Sequence, residues 1–160
     1  MIKVGDKIPS ATLRRMNDSG IEEVQTSDYF AGRKIAMIGV PGAFTPTCSQ
    51  QHLPGYIQKA ADFKGKGVDE IACLSVNDPF VMQEWGKASG AEGKVTLLAD
   101  GNGEFTKAMG LEFDGSGAGL GTRSKRFAMI VEDGVVKSLH VEDSPGALQV
   151  TGAEKLIEEV

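Results

Sequence analysis

Of the two cysteines in this chain, one closes the run VPGAFTPTC, residues 40–48. The sulfur follows a threonine by three residues and a proline by two, just downstream of an apolar segment of strand length. Thr45 is suited to cap a helix and Pro46 to occupy its first position. Cys48 then stands at the third helical position, where unpaired backbone N–H groups and the positive end of the helix dipole favour thiolate over thiol. A thiolate alone is a modest catalyst; it needs a group that binds the substrate and a charge that receives the departing electrons. Thr45, on the same side of the helix, has a hydroxyl that can accept from a substrate while donating elsewhere. Arg123 and Arg126, at the entrance to the run FAMIVE, offer a permanently charged planar fork. Thiolate, hydroxyl and guanidinium together suit polarisation of an O–O bond. Each residue also has a plainer reading: Cys48 as packing, Thr45 as a cap only, Pro41 as a strand stop, the arginines as solvated charges.

These residues need a scaffold, and the apolar pattern supplies one. KIAMIGV, 34–40, is a continuous apolar run, the mark of a strand covered on both faces. The helix opened by Thr45 and Pro46 is expected to run to about Lys64 with a kink at Pro54. DEIACLSV, 69–76, predicts a second buried strand, and Asn77-Asp78-Pro79 a capped helix start carrying Phe80, Val81 and Trp85. VTLLAD, 95–100, predicts a third strand, followed by a short helix over 104–109. FAMIVEDGVVKSLHV, 127–141, predicts a hairpin turning at Asp133-Gly134. Thr151 to Glu154 has capping-box spacing for a terminal helix, and DGSGAGLGTR, 114–123, reads as a flexible loop. The order of elements predicts a single α/β domain over 1–160, a thioredoxin-like sandwich with a central mixed sheet flanked by helices.

Composition narrows the class. A formal charge of −5, with only the short basic clusters KGKG at 64–67 and RSKR at 123–126, argues against a nucleic-acid partner. No apolar run approaches the roughly 20 residues of a membrane span. The N-terminus has neither signal-peptide nor transit-peptide character, so the cytoplasm is the default compartment, with an organelle form whose targeting segment has been removed as the alternative. Two cysteines make no disulfide framework. With two histidines they have no metal-ligand spacing, so no metal is expected. GAGLG, 117–121, lacks the context of a phosphate loop. Phe80 and Trp85 read as core, and His140 as sheet surface. His52, four residues after Cys48, is either a surface residue or the base of a Cys–His pair; the surface reading is preferred, and the pair would predict ester hydrolysis.

The pattern Pro41-x-x-x-Thr45-x-x-Cys48, with VPGAFTPTCSQQHLPGY, ACLSVNDPFVMQEW and KRFAMIVEDGVVKSLHVE, resembles the peroxiredoxins over nearly the whole chain, in particular the type II group that includes animal peroxiredoxin five. The resemblance implies a thioredoxin fold with an N-terminal extension and reduction of hydrogen peroxide and organic hydroperoxides without metal, flavin or haem. It implies that Cys48 attacks the peroxide and becomes a sulfenic acid. Thr45 would hydrogen-bond sulfur and peroxide, Pro41 would shield the sulfur, and Gly42 and Phe44 would shape the pocket wall. The active-site arginine would be Arg126, with Arg123 supporting it. A homodimer is also implied, with Phe44 and the 77–81 turn as candidate contacts.

Cys73, in the middle of the second predicted strand, is either a small buried hydrophobe or a resolving thiol. A cysteine with this spacing is proposed to resolve the sulfenic acid in similar plant and bacterial enzymes, and a Cys48–Cys73 disulfide would demand unwinding around Cys48. The resemblance to animal members, which use a cysteine near the C-terminus, does not extend to the tail DSPGALQVTGAEKLIEEV. Regeneration by glutathione or glutaredoxin is the preferred route, thioredoxin acting on a Cys48–Cys73 disulfide the alternative. A peroxide sensor in which turnover is incidental is the rival class.

Overall fold

The computed structural model describes residues 1–160. Its centre is a seven-stranded mixed sheet. In chain order the strands are β1 (Thr12–Asn17), β2 (Gly20–Gln25), β3 (Lys34–Val40), β4 (Glu70–Ser75), β5 (Thr96–Ala99), and, after the small pair β6 (Glu112–Asp114) and β7 (Thr122–Ser124), β8 (Phe127–Glu132) and β9 (Val135–Val141). Their spatial order is β2-β1-β5-β4-β3-β8-β9, with β3, β4 and β5 parallel and the rest antiparallel. This is the thioredoxin-like fold, with the N-terminal hairpin β1–β2 added at one edge.

The continuous apolar runs are strands buried on both faces, and the period of two sorts their side chains. Ala36, Ile38, Val40, Ile71, Cys73, Ala128 and Ile130 pack on one side of the sheet with Cys48, Tyr56 and Trp85. Ile35, Met37, Ala72, Leu74, Phe127, Met129 and Val131 pack on the other side with Phe30 and Phe105. Position 39 must be glycine for a packing reason: a Cβ there would lie 1.9 Å from the Phe127 ring, which crosses β3 directly opposite. The β8–β9 turn is Asp133-Gly134, both at positive φ (47° and 76°), the geometry that a two-residue hairpin demands.

The helices depart from expectation in instructive ways. The segment from Pro46 to Gly65 is helical but not uniformly α. Cys48–His52 is a π-helical turn, closed by Leu53 N–H bonding to the Cys48 carbonyl. The α-helices α2 (Leu53–Gln58) and α3 (Ala60–Gly65) follow, after the short α1 (Thr26–Tyr29) near the N-terminus. The break falls at Lys59 (φ −100°, ψ 10°) instead of at Pro54. The wide turn just before Pro54 gives its ring room, so the proline sits in the first turn of α2 without breaking the helix. The helix α4 (Pro79–Ser89) starts as the sequence predicts, its Asp78 carboxylate accepting from Val81 N–H at 2.8 Å. Trp85 is core, but Phe80 is 57% exposed: Met82, Trp85 and Gly86 take the inward stripe, and Phe80 lies around the helix from it.

The helix α5 (Glu104–Ala108) matches expectation, whereas the terminal helix α6 (Ala153–Leu156) is capped by Gly152. Thr151 forms no capping box, because its hydroxyl donates to Glu142 instead. The glycine-rich 114–123 segment is ordered into the β6–β7 pair, closed by Gly115 N–H to Gly121 O at 2.7 Å. The N-terminal hairpin is not announced by apolar alternation: only Leu13 and Val24 are buried, and the successive cross-strand ion pairs Arg14–Glu23 and Arg15–Glu22 stand on its opposite faces, each partly exposed.

Candidate active site

The site forms where β3 ends. Pro41 stops the strand, and the chain turns through Gly42 to Thr45 before entering the helix at Pro46. The Thr45 carbonyl accepts from Ser49 N–H at 2.9 Å, so the helix does begin there, but the Thr45 hydroxyl does not cap it. That hydroxyl donates to the Gly42 carbonyl at 2.6 Å. With its proton committed, the Thr45 oxygen is left as an acceptor for an incoming O–H. Cys48, fully buried, occupies the third helical position.

Arg126 lies between β7 and β8 and is 2% exposed. Its Nη2–H donates to Cys48 Sγ at 3.0 Å and to Pro145 O at 2.9 Å, while Nε–H donates to the same carbonyl at 3.1 Å. Its Nη1–H donates to His52 Nδ1 at 2.9 Å. A buried guanidinium held by three acceptors is a fixed charge against the sulfur, not a solvated surface arginine. Arg123 is further along the loop side: Nη1–H donates to Pro41 O at 3.2 Å and Nε–H to Leu120 O at 2.9 Å. It braces the turn from outside, and a Cβ on Gly42 would lie 2.7 Å from its Nη1. Phe44 has φ 64° and is 54% exposed, so its ring faces outward while the Gly42 backbone lines the turn.

His52 is not a surface residue. It is 1% exposed, and its Nε2–H donates to Thr151 O at 3.0 Å, which leaves Nδ1 to accept from Arg126. Burial lowers its pKa to about 3, with the Arg126 charge adding to the effect, so the ring stays neutral as its acceptor role requires. The i, i+4 relation to Cys48 brings it to the inner face, where it orients Arg126 instead of touching the sulfur. Thr151 O also accepts from the Tyr56 hydroxyl at 2.7 Å.

Glu142 has no motif to announce it. Its Oε2 accepts from the N–H groups of Gln149, Val150 and Thr151 and from the Thr151 hydroxyl, all within 2.7–2.9 Å. Burial works against its ionisation, but these bonds outweigh that and hold its carboxyl below the usual range. Glu142 therefore fixes the loop whose Thr151 carbonyl fixes His52. On the other flank, Trp85 Nε1–H donates to Ser49 Oγ at 2.9 Å, tying α4 to the residue after the sulfur.

Cys73 lies on the same side of the sheet as Cys48, fully buried, with its strand paired to β3 at Ile38 and to β5 at Leu97. Burial pushes its thiol pKa well up, and the nearby Cys48 adds to the rise. The two cysteines are not bonded.

The fold and this cluster define a thiol-based redox protein of the thioredoxin-like class, in which a buried sulfur at a helix start meets a fixed guanidinium. Residues 3–157 match the Redoxin family. The chain is 48% identical to peroxiredoxin-2E, chloroplastic, of Arabidopsis thaliana, over 98% of this chain and 68% of that one. It is 46% identical to peroxiredoxin-2B of the same plant, over 98% and 96% of the two chains. Reduced Prx3 from Vibrio vulnificus, solved in complex with H2O2, superposes with a TM-score of 0.94 at 49% identity, covering 99% of this chain and 98% of that one. The chain belongs to the Redoxin family and, within it, to the peroxiredoxins. Its activity is that of a thiol-dependent peroxidase in antioxidant defence.

Proposed function

We propose that Cys48 is the peroxidatic thiol and that Thr45 and Arg126 complete its catalytic set. The carrying observation is the 3.0 Å hydrogen bond from Arg126 Nη2 to Cys48 Sγ inside a buried site. The thiolate lone pair attacks the nearer peroxide oxygen. The S–O bond forms as the O–O bond breaks, the electron pair leaves on the distal oxygen, and that oxygen departs as water or alcohol after taking a proton. Arg126 carries the developing negative charge, and the Thr45 oxygen accepts from the peroxide O–H and so orients it. Pro41 and the Gly42 backbone screen the sulfur from water, with Phe44 and Arg123 holding the outer edge of the turn. Cys48 is left as a sulfenic acid.

Glutathione or a glutaredoxin then regenerates the enzyme. One thiol condenses with Cys48–SOH, releasing water and leaving a mixed disulfide; a second thiol releases Cys48 and carries the disulfide away. Three features of Cys73 support this route: its central place in β4, its ladder on both sides and its raised thiol pKa. A resolving thiol needs thiolate character and a path to its partner, and this one is short of both. The exposed Phe44 and Phe80 support a homodimer that covers them. Two free cysteines favour a reducing compartment, either the cytoplasm or an organelle of the kind named for the chloroplastic relatives.

A reductant panel on the parent, Cys48→Ser and Cys73→Ala tests the reading. Turnover is expected to vanish in Cys48→Ser with every reductant and to persist in Cys73→Ala with glutathione plus glutaredoxin. Loss of glutaredoxin-supported turnover in a folded Cys73→Ala protein overturns the proposed route in favour of the Cys48–Cys73 disulfide.

A further inference from the structure

The turn that carries Gly42 and Thr45 is held to the sheet by a residue outside the Pro-Thr-Cys pattern. We infer that Asn77 is a positioning residue for the peroxidase reaction, acting through a single hydrogen bond to the Ala43 backbone; the inference rests on the assignment of Cys48, Thr45 and Arg126 made above. Asn77 lies between the last residue of β4, Ser75, and the cap of α4, Asp78, and is half-buried. Its Oδ1 accepts from Ala43 N–H at 3.0 Å and from the Ser75 hydroxyl at 2.6 Å. The two donors converge on one oxygen. An amide turned the other way would set its NH2 against the Ala43 N–H, which can only donate, so Ala43 sets the amide orientation and the Ser75 hydroxyl, free to rotate, anchors the same oxygen to the end of β4.

Ala43 is the pivot of the turn. Its N–H has no acceptor other than Asn77. The residue before it, Gly42, offers the carbonyl that takes both the Thr45 N–H (3.4 Å) and the Thr45 hydroxyl (2.6 Å). The residue after it, Phe44, stands at φ 64°, a conformation disfavoured for a side chain of this size. A strained, half-exposed turn of this kind keeps its shape only where neighbours over-determine it. Three contacts do so: Arg123 on the Pro41 carbonyl, Asn77 on Ala43 N–H, and Thr45 on Gly42. Asn77 is the one that refers the turn to the central sheet. Its own backbone is backed from beneath, where Gly101 approaches so closely that a Cβ would lie 3.3 Å from Asn77 O, and Asp100 N–H bonds Ser75 O at 2.9 Å. Release of the Ala43 N–H lets the Gly42 carbonyl turn and carries the Thr45 oxygen away from the peroxide position, without touching Cys48, Arg126 or the core.

Three variants, Asn77→Ala, Asn77→Asp and Ser75→Ala, test this. For each we would measure the second-order rate of peroxide reduction by stopped flow, the rate of Cys48 alkylation by iodoacetamide, and the melting temperature. Alkylation needs the thiolate but not the Thr45 contact to peroxide, so a positioning role separates the two rates and a merely structural role does not. Asn77→Ala is expected to lose about tenfold in peroxide rate, the scale of one net hydrogen bond, with alkylation within about twofold of the parent. Asn77→Asp keeps an acceptor oxygen and is expected to return to within about threefold of the parent; Ser75→Ala, which removes the hydrogen bond anchoring the amide oxygen to the end of β4, should lose about threefold. A parental peroxide rate in Asn77→Ala, or parallel loss of both rates, overturns the inference. If Asn77→Ala does not fold, a parental peroxide rate in Ser75→Ala overturns it. A parent protein that fails to consume peroxide would instead sink the catalytic assignment on which the inference rests.

Discussion

Replacing Arg126 by glutamine removes the charge against Cys48 while keeping a planar amide in nearly the same volume. The guanidinium makes four hydrogen bonds to three acceptors: Cys48 Sγ, His52 Nδ1 and, twice, Pro145 O. A glutamine amide has two N–H donors and a shorter reach, so it can satisfy at most one side of this arrangement. The rate effect follows from the bond to sulfur and from the charge that meets the departing oxygen. Loss of one preorganised donor of this type costs about 2.7–4 kcal/mol in the transition state, about 10²–10³ in rate. Stability should fall less, by about 1–3 kcal/mol, because neutral His52 loses only a hydrogen-bond donor and not a charge partner. The assay is single-turnover stopped flow with excess peroxide, read by the fluorescence of the only tryptophan, Trp85, which bonds the residue next to Cys48. A folded Arg126→Gln protein that reacts within about threefold of the parent refutes the transition-state role given to the guanidinium.

Three further outcomes follow from the same network. His52 is held neutral in the folded state with a pKa of about 3, against an ordinary value of 6.5; the unfolded chain therefore binds a proton first as pH falls. Stability contributed here is lost between about pH 6.5 and pH 3, at up to about 1.4 kcal/mol per unit, and urea unfolding of the parent minus His52→Gln should show that slope. Glu142→Gln should lower stability by about 1–3 kcal/mol and slow peroxide reduction through the Thr151–His52–Arg126 chain; a melting curve and a rate unchanged from the parent would contradict the chain. Its carboxyl is depressed in the folded state, so its contribution is present above the ordinary glutamate range and is lost as pH falls through it. Gly39→Ala should displace the Phe127 ring next to Arg126 and cost about 1–3 kcal/mol, seen as a drop in melting temperature; a parental melting temperature would show that β3 yields instead.

The parts of the fold that are legible in the sequence are those written in local chemistry. The strand Lys34–Val40, the Asp78-Pro79 helix start and the Asp133-Gly134 hairpin follow from apolar runs, a cap and a turn dipeptide, and the structure places each within a residue or so. The Pro46 helix start and the position of Cys48 in it are legible for the same reason. What the sequence hides is long-range. His52 reads as surface because its partners, Arg126 and Thr151, are 74 and 99 residues away. Glu142 and the true role of Thr151 are hidden because a carboxylate collecting loop N–H groups leaves no periodic trace. The β1–β2 hairpin escapes notice because an edge pair with one inward residue per strand shows little alternation. The wide turn at Cys48–His52 has no compositional signature, although it is what spares the helix a break at Pro54.

One measurement bears most directly on the assignment of the sulfur. The reduced protein, freed of external thiol, is given a single equivalent of hydrogen peroxide and analysed by peptide mass spectrometry beside Cys48→Ser. The account predicts rapid loss of one peroxide per chain and one added oxygen on the peptide holding Cys48, with Cys73 unmodified and the serine variant inert. Equal peroxide consumption by Cys48→Ser, or oxygen gained first at Cys73, would contradict it.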